Sequence, residues 1–367
     1  MGGVRARWLW QNFAQLSGTD IGVTSEELAF PQEWMLDSLR SKRWRSKTGW
    51  NIFEGINDKI ETNDASAGDK TKTLTPGNYA LGGDLAAEIT FQLNAGPGGG
   101  SPIWTCTYNV LTHTFIIEAT GVFSLLWSSG ANSTLNVGPD IGFDISADDT
   151  GASTYLANTL SYQSRQFVQL QFSQPFEVRA GILLDTNITS GGSVRLQGND
   201  ANIWTAPIFT TQLTEGDDLW ADQFDPPQVL QHWRFTVDDV QNTNGFIEIG
   251  VVYIGSYTEP ERGYSTPYGE NRDELSSIQE ADQGAHFQNI RPTRREWSIG
   301  WPGLSTADKI EFEKIANHVQ AGRPFFFALD ADDIVNLVYV SLDSGMGFDS
   351  GTNQNWSANF DLLETLG

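Results

Sequence analysis

Between Phe167 and Gly255 the chain repeats one pattern, short runs in which apolar and polar side chains alternate. The runs are Phe167-Val-Gln-Leu-Gln-Phe, Glu177-Val-Arg-Ala-Gly-Ile-Leu-Leu, Ser193-Val-Arg-Leu-Gln-Gly, Trp233-Arg-Phe-Thr-Val and Phe246-Ile-Glu-Ile-Gly-Val-Val-Tyr-Ile-Gly. Successive residues of a strand point to opposite faces of a sheet, so a period of two gives each run one apolar and one polar face. A sheet built this way must close its apolar face against another layer. With turn residues between the runs, the pattern predicts a β-sandwich.

A second period appears after Ser305. Ser305 followed by Asp308 is a capping-box-like start, and Phe312, Ile315, Ala316 and Val319 share one helical face. Gly322 and Pro324 end the helix. Strands are expected at Pro324-Phe-Phe-Phe-Ala-Leu, Leu337-Val-Tyr-Val-Ser-Leu and Trp356-Ser-Ala-Asn-Phe-Asp-Leu-Leu. The unit is α+β.

A third pattern lies between Lys72 and Tyr155. Thr71-Lys-Thr-Leu-Thr reads as a strand, Pro76 to Tyr79 as a turn, and Asp84 as the cap of a helix whose Leu85, Ile89 and Leu93 share a face. Gly96 to Ser101 reads as a linker, followed by strands at Trp104-Thr-Cys-Thr-Tyr, Thr114-Phe-Ile-Ile-Glu and Val122-Phe-Ser-Leu-Leu-Trp. The polar stretch from Tyr257 to Arg291 reads as a linker or arm.

The 367 residues call for two or three structural units. The net charge of −24 argues against a nucleic-acid surface and against binding anionic membranes. The basic run Arg40, Lys42, Arg43 and Arg45 is the local exception, read either as a contact for an acidic neighbour or as a solvated turn with Trp44 packed inward. The N-terminus reads as neither a signal peptide nor a membrane span. Cys106 is alone, so no intrachain disulfide is expected, and it reads as a small apolar filler. No Gly-x-Ser-x-Gly elbow occurs, and His113, His232, His286 and His318 lack metal-ligand spacing. The acidic clusters Asp330-Ala-Asp-Asp and Asp217, Asp218 and Asp222 miss the EF-hand spacing and read as solvated loops. No catalytic residue, metal or cofactor is therefore expected.

Three segments carry resemblances. The Trp-rich strand from Arg295 with the capped helix and the Gly-Arg-Pro-Phe-Phe-Phe run resembles tail-building modules of tailed bacteriophages. The order from Leu74-Thr-Pro-Gly-Asn-Tyr to Ile141-Gly-Phe-Asp resembles a module of tailed-phage virion proteins. Val194-Arg-Leu-Gln-Gly-Asn-Asp with His232-Trp-Arg-Phe-Thr-Val-Asp-Asp resembles the discoidin or galactose-binding-like jelly roll, whose opening strands are similar to the segment from Phe30 to Ser46.

Together these imply a mainly β chain, a jelly-roll-like β-sandwich with an inserted small α+β module and a C-terminal α+β domain. The expected units are 1–71 and 156–258 for the sandwich, 72–155 for the insertion, 259–291 for the arm and 292–367 for the tail-assembly domain. The tail resemblance implies a non-enzymatic distal tail or baseplate protein of a virion. It would assemble in the host cytoplasm as a homo-oligomeric ring joining tube, hub and fibre, with Phe325, Phe326, Phe327, Trp297 and Trp301 at the assembly interface. The jelly-roll resemblance implies the alternative, a glycan-binding accessory tail protein or adhesin for host surface glycan. Trp204 and Trp220 would then stack on sugar from loops holding Asn199, Asp200 and Asn202. A glycan-cleaving enzyme is the third reading.

Overall fold

The computed structural model describes residues 5–64, 68–95, 102–204, 206–265, 268–280, 286–289, 292–320, 322–333, 335–350 and 355–366. The expected linker at Gly96 to Ser101 lies outside them, as does part of the expected arm. The fold is mainly β, a jelly-roll-like sandwich carrying a small α+β module and a C-terminal α+β domain.

Two long strands, Gln166–Leu184 and Leu219–Asp238, organise the sandwich. Their outer parts pair at Phe167↔Thr236 and Gln169↔Arg234, and their inner parts at Ile182↔Ala221 and Leu183↔Trp220, with register shifts between. Ser193–Asn199 extends the first region, while Val251–Thr258 extends the second. Val168, Leu170, Val194, Leu196, Phe235 and Val237 from the first region meet Leu183, Val252 and Ile254 from the second in one core. Two runs expected as separate strands, from Phe167 and from Glu177, are thus one strand whose irregular middle lets it serve both layers.

The strand Arg7–Asn12 pairs with Val251–Thr258 on one side and with Phe325–Ala328 on the other. It joins sandwich and C-terminal sheet into one hydrogen-bonded path. Trp8 enters the C-terminal core, with its ring centroid 4.9 Å from those of Phe327 and Phe360 and 5.3 Å from Phe312. The expected helix forms as α2, Thr306–Val319, with the Ser305 and Asp308 capping box in place and Phe312, Ile315 and Val319 buried. Part of the expected arm, Gly269–Glu274, pairs with Thr293–Leu304 at the edge of this sheet.

The inserted module has its own sheet, with strands in the order Asp149–Leu156, Thr114–Leu125, Lys59–Asp64 and Gly68–Thr73, and with Trp104–Asn109 also paired to Thr114–Leu125. Helix α1, Gly82–Asn94, packs on it through Leu85, Ile89 and Leu93. This sheet begins at Lys59, ahead of the expected Lys72. Its first strand hides polar side chains, Glu61, Thr62 and Asp64, so apolar alternation does not mark it. Three further expectations change here. Thr114–Leu125 is a single strand, Leu81 stands at the N-cap of α1 with Asp84 inside the first turn, and Gly77–Tyr79 pairs with Trp50–Ile52 where a turn was expected. Among the described residues no helix is long and apolar enough to cross a membrane.

Candidate functional site

The alternation that builds the sandwich core also builds its outer face. Val194 and Leu196, Phe235 and Val237, and Val168 and Leu170 point inward. Their neighbours must point outward. The register therefore sets two rows across three strands, Arg195, Thr236 and Phe167 in one, Gln197, Arg234 and Gln169 in the other.

The chain leaving Asn199 folds back over this face. Asn199 Nδ2 donates to the Ile203 carbonyl at 2.5 Å, and Trp204 Nε1 donates to Asn202 Oδ1 at 2.7 Å. These bonds hold the Trp204 ring 4.6 Å from the Arg234 guanidinium, whose distance to the Phe167 ring is also 4.6 Å. Gly55 and Ile56, just ahead of the inserted module's first strand, and Thr134 and Leu135 within the module also line the space. Together these residues enclose a cleft of about 470 Å³, within the usual range for small-ligand sites.

Arg234 is 7% exposed, and its Nε and Nη2 both donate to Gln197 Oε1, at 3.0 and 2.7 Å. Thr236 Oγ1 donates to the same oxygen at 3.2 Å. Burial first, and then the nearby charges of Arg165 and Arg195, push the Arg234 pKa down to about 9. Arg165, at the cleft edge, lies 3.6 Å from Asp140 and 3.9 Å from Asp238. Neither Arg195 nor Arg234 has a carboxylate partner among the described residues. The wall thus offers an aromatic ring, a neutral amide and guanidinium donors, the groups that hold sugar rings and hydroxyls.

Of the residues expected to bind glycan, Trp204 and Asn202 line the cleft, Asn199 braces its loop, and Asp200 is exposed and does not line it. Trp220 does not join them. It is 5% exposed and belongs to the sandwich core, because its strand starts at Leu219 and the period turns its ring inward. Arg234, Arg195, Gln197 and Phe167 escaped the sequence reading of the site, although alternation in Val-Arg-Leu-Gln and Trp-Arg-Phe-Thr already sets them on one face.

The expected assembly residues are internal. Phe325, Phe327, Trp297 and Trp301 fill the C-terminal core, and Phe326 packs between Tyr253 and Tyr339. Arg7–Asn12 covers the strand that carries the three phenylalanines, so none of the five side chains is free to meet another subunit. The basic run is also used within the chain. Trp44 is buried, Lys42 pairs with Asp37, and Arg43 and Arg45 pair with Glu248.

His113 bonds Tyr108 Oη at 2.9 Å and stacks on Tyr162, His318 meets the edge of the Trp10 ring, and burial pushes the Cys106 thiol up. Among the described residues no three His, Cys, Asp or Glu side chains come together as a metal site.

Neither a protein-family model nor a curated protein sequence matches the chain. Two solved structures are similar to it in part. One is the family 32 carbohydrate-binding module of Clostridium perfringens NanJ in complex with galactose, 9% identical over 69% of this chain and 99% of that one, with a TM-score of 0.29. The other is CpGH89CBM32-5 from Clostridium perfringens in complex with GalNAc-β-1,3-galactose, 16% identical over 25% of this chain and 66% of that one, with a TM-score of 0.19.

Proposed function

We propose that this chain is a non-catalytic glycan-binding protein, and that the cleft under Trp204 is where it holds sugar. The observation that carries the reading is the indole of Trp204, fixed by its bond to Asn202 at the rim of a cleft lined by amide, hydroxyl and guanidinium groups. A pyranose ring lies on an indole face while its hydroxyls bond the polar wall. The setting follows from the sequence resemblance, an accessory component of a phage tail that touches host surface glycan.

The ring-forming tail-tip connector is a separate reading and rests on the sequence patterns. It requires a contact surface other than Phe325, Phe326, Phe327, Trp297 and Trp301. An oligosaccharide array probed with the intact chain tests the binding reading. Binding to at least one glycan class is expected, and Trp204→Ala is expected to remove it while the far-ultraviolet spectrum and melting temperature hold. An array without binding, or a Trp204→Ala variant that binds as the parent does, contradicts the proposal.

A further inference from the structure

The charge of the cleft is opposite to that of the chain. A net charge of −24 surrounds a pocket lined by Arg165, Arg195 and Arg234. Asp140 and Asp238 offset Arg165 alone. Arg234 stands out, because burying a guanidinium without a counter-charge is unfavourable to the folded protein. Its partner Gln197 accepts its hydrogen bonds but brings no negative charge. Its guanidinium carbon lies 4.6 Å from the ring centroids of both Phe167 and Trp204, and Nη1 makes no hydrogen bond among the described residues. The fold thus keeps a costly cation at the floor of a cleft with part of its donor fork unused.

We propose that the saccharide held here carries an anionic substituent, a carboxylate or a sulfate ester, received by Arg234 and Arg195 while the sugar ring rests against Trp204. This deepens the glycan-binding reading and rests on it. A planar guanidinium edge matches the paired oxygens of such a group, and a charge-assisted bond in a partly dry site is stronger than a neutral one. The acidic remainder of the chain repels polyanions at long range, so only a ligand that delivers its charge into the cleft gains from it.

Isothermal titration of the intact chain separates the possibilities, using a neutral galacto-oligosaccharide, the corresponding oligogalacturonate, a sulfated galacto-oligosaccharide and sodium sulfate. The oligogalacturonate or the sulfated sugar is expected to bind about tenfold to a hundredfold tighter than the neutral one, the gain a charge-assisted hydrogen bond gives. Preference for one of the two names the substituent. Arg234→Gln is expected to erase the preference. Arg195→Gln, at a half-buried position outside any ion pair among the described residues, is expected to reduce it even if Arg234→Gln folds poorly. Equal or tighter binding of the neutral sugar overturns the inference and leaves the glycan reading standing. Binding of sodium sulfate with none of the sugars makes the cleft an ion site and overturns the inference, as does no binding at all, and the oligosaccharide array then decides whether the glycan reading stands.

Discussion

Arg40 grips both carboxylate oxygens of Asp185, with Nε 2.7 Å from Oδ2 and Nη2 2.6 Å from Oδ1, while Nη1 donates to the Thr365 carbonyl at 2.9 Å. The side chains are 14% and 5% exposed, so the pair is largely shielded from water. One arginine from the basic run thereby ties the sandwich to the C-terminal strand end. The hydrogen bonds to Asp185 hold the Arg40 pKa above its ordinary value against the opposing effect of burial.

Arg40→Ala leaves Asp185 buried without its counter-charge, a loss of about 3–5 kcal/mol by the usual cost of breaking such a pair from one side. Equilibrium unfolding in urea checks this. Arg40→Lys is expected to recover only part of the loss, since an ammonium cannot meet both oxygens with a planar fork. A variant as stable as the parent would mean that water already solvates Asp185.

Phe326 is packed by Tyr253 at 5.6 Å and Tyr339 at 4.7 Å between ring centroids, at the junction of the sandwich and the C-terminal sheet. Phe326→Ala is expected to cost about 3–5 kcal/mol, the range for emptying an aromatic site in a core. Sedimentation of the folded variant should match the parent, because the ring serves the chain's own interior. A changed oligomer size with unchanged stability would restore the assembly role expected from the sequence.

How far the sequence reached depended on whether local pattern or distant pairing decides a feature. The extended runs from Phe167 to Gly255, the α2 helix with its Ser305 box and the buried faces of both helices were legible, because period and capping are local properties. The strand bounds were not: the runs from Phe167 and Glu177 are one strand, the strand of Trp233 begins at Leu219, and the run from Phe246 divides into Glu248–Ile249 and Val251–Thr258. The place of Arg7–Asn12 was not, since its pairing partners lie more than two hundred residues away and nothing within Arg-Trp-Leu-Trp-Gln-Asn names them. The first strand of the inserted module was hidden for another reason. Glu61 is buried and bonded by Thr71, Asn132 and the Asn132 backbone, so it looks polar in sequence and inward in space. Composition had singled out Trp204 and Asn202, which line the cleft, whereas Arg234 was passed over because its lack of a carboxylate partner among the described residues shows only in the fold.

Asp148 gives the inserted module a dependence on acid. Burial pushes its carboxyl up, but the hydroxyl of Ser129 and the backbone N–H groups of Ser128 and Ser129 outweigh this and bring it to about 2 from an ordinary 3.8. A carboxylate whose folded value lies below its unfolded one contributes stability that is complete above the unfolded value and is lost as pH falls toward the folded one. Melting temperatures measured from pH 5 down to about 2 should fall through this window, and Asp148→Asn should fall less steeply over the same range. Parallel curves for parent and variant would show that the Ser128 and Ser129 bonds do not hold in solution.

If sugar enters the cleft at Trp204, amide hydrogen exchange with and without the tightest-binding oligosaccharide reports it. Exchange is expected to slow across residues 200–204 and in the segments bearing Ile56 and Leu135, which also line the cleft. Protection confined to other parts of the chain, with these three segments unchanged, would contradict it.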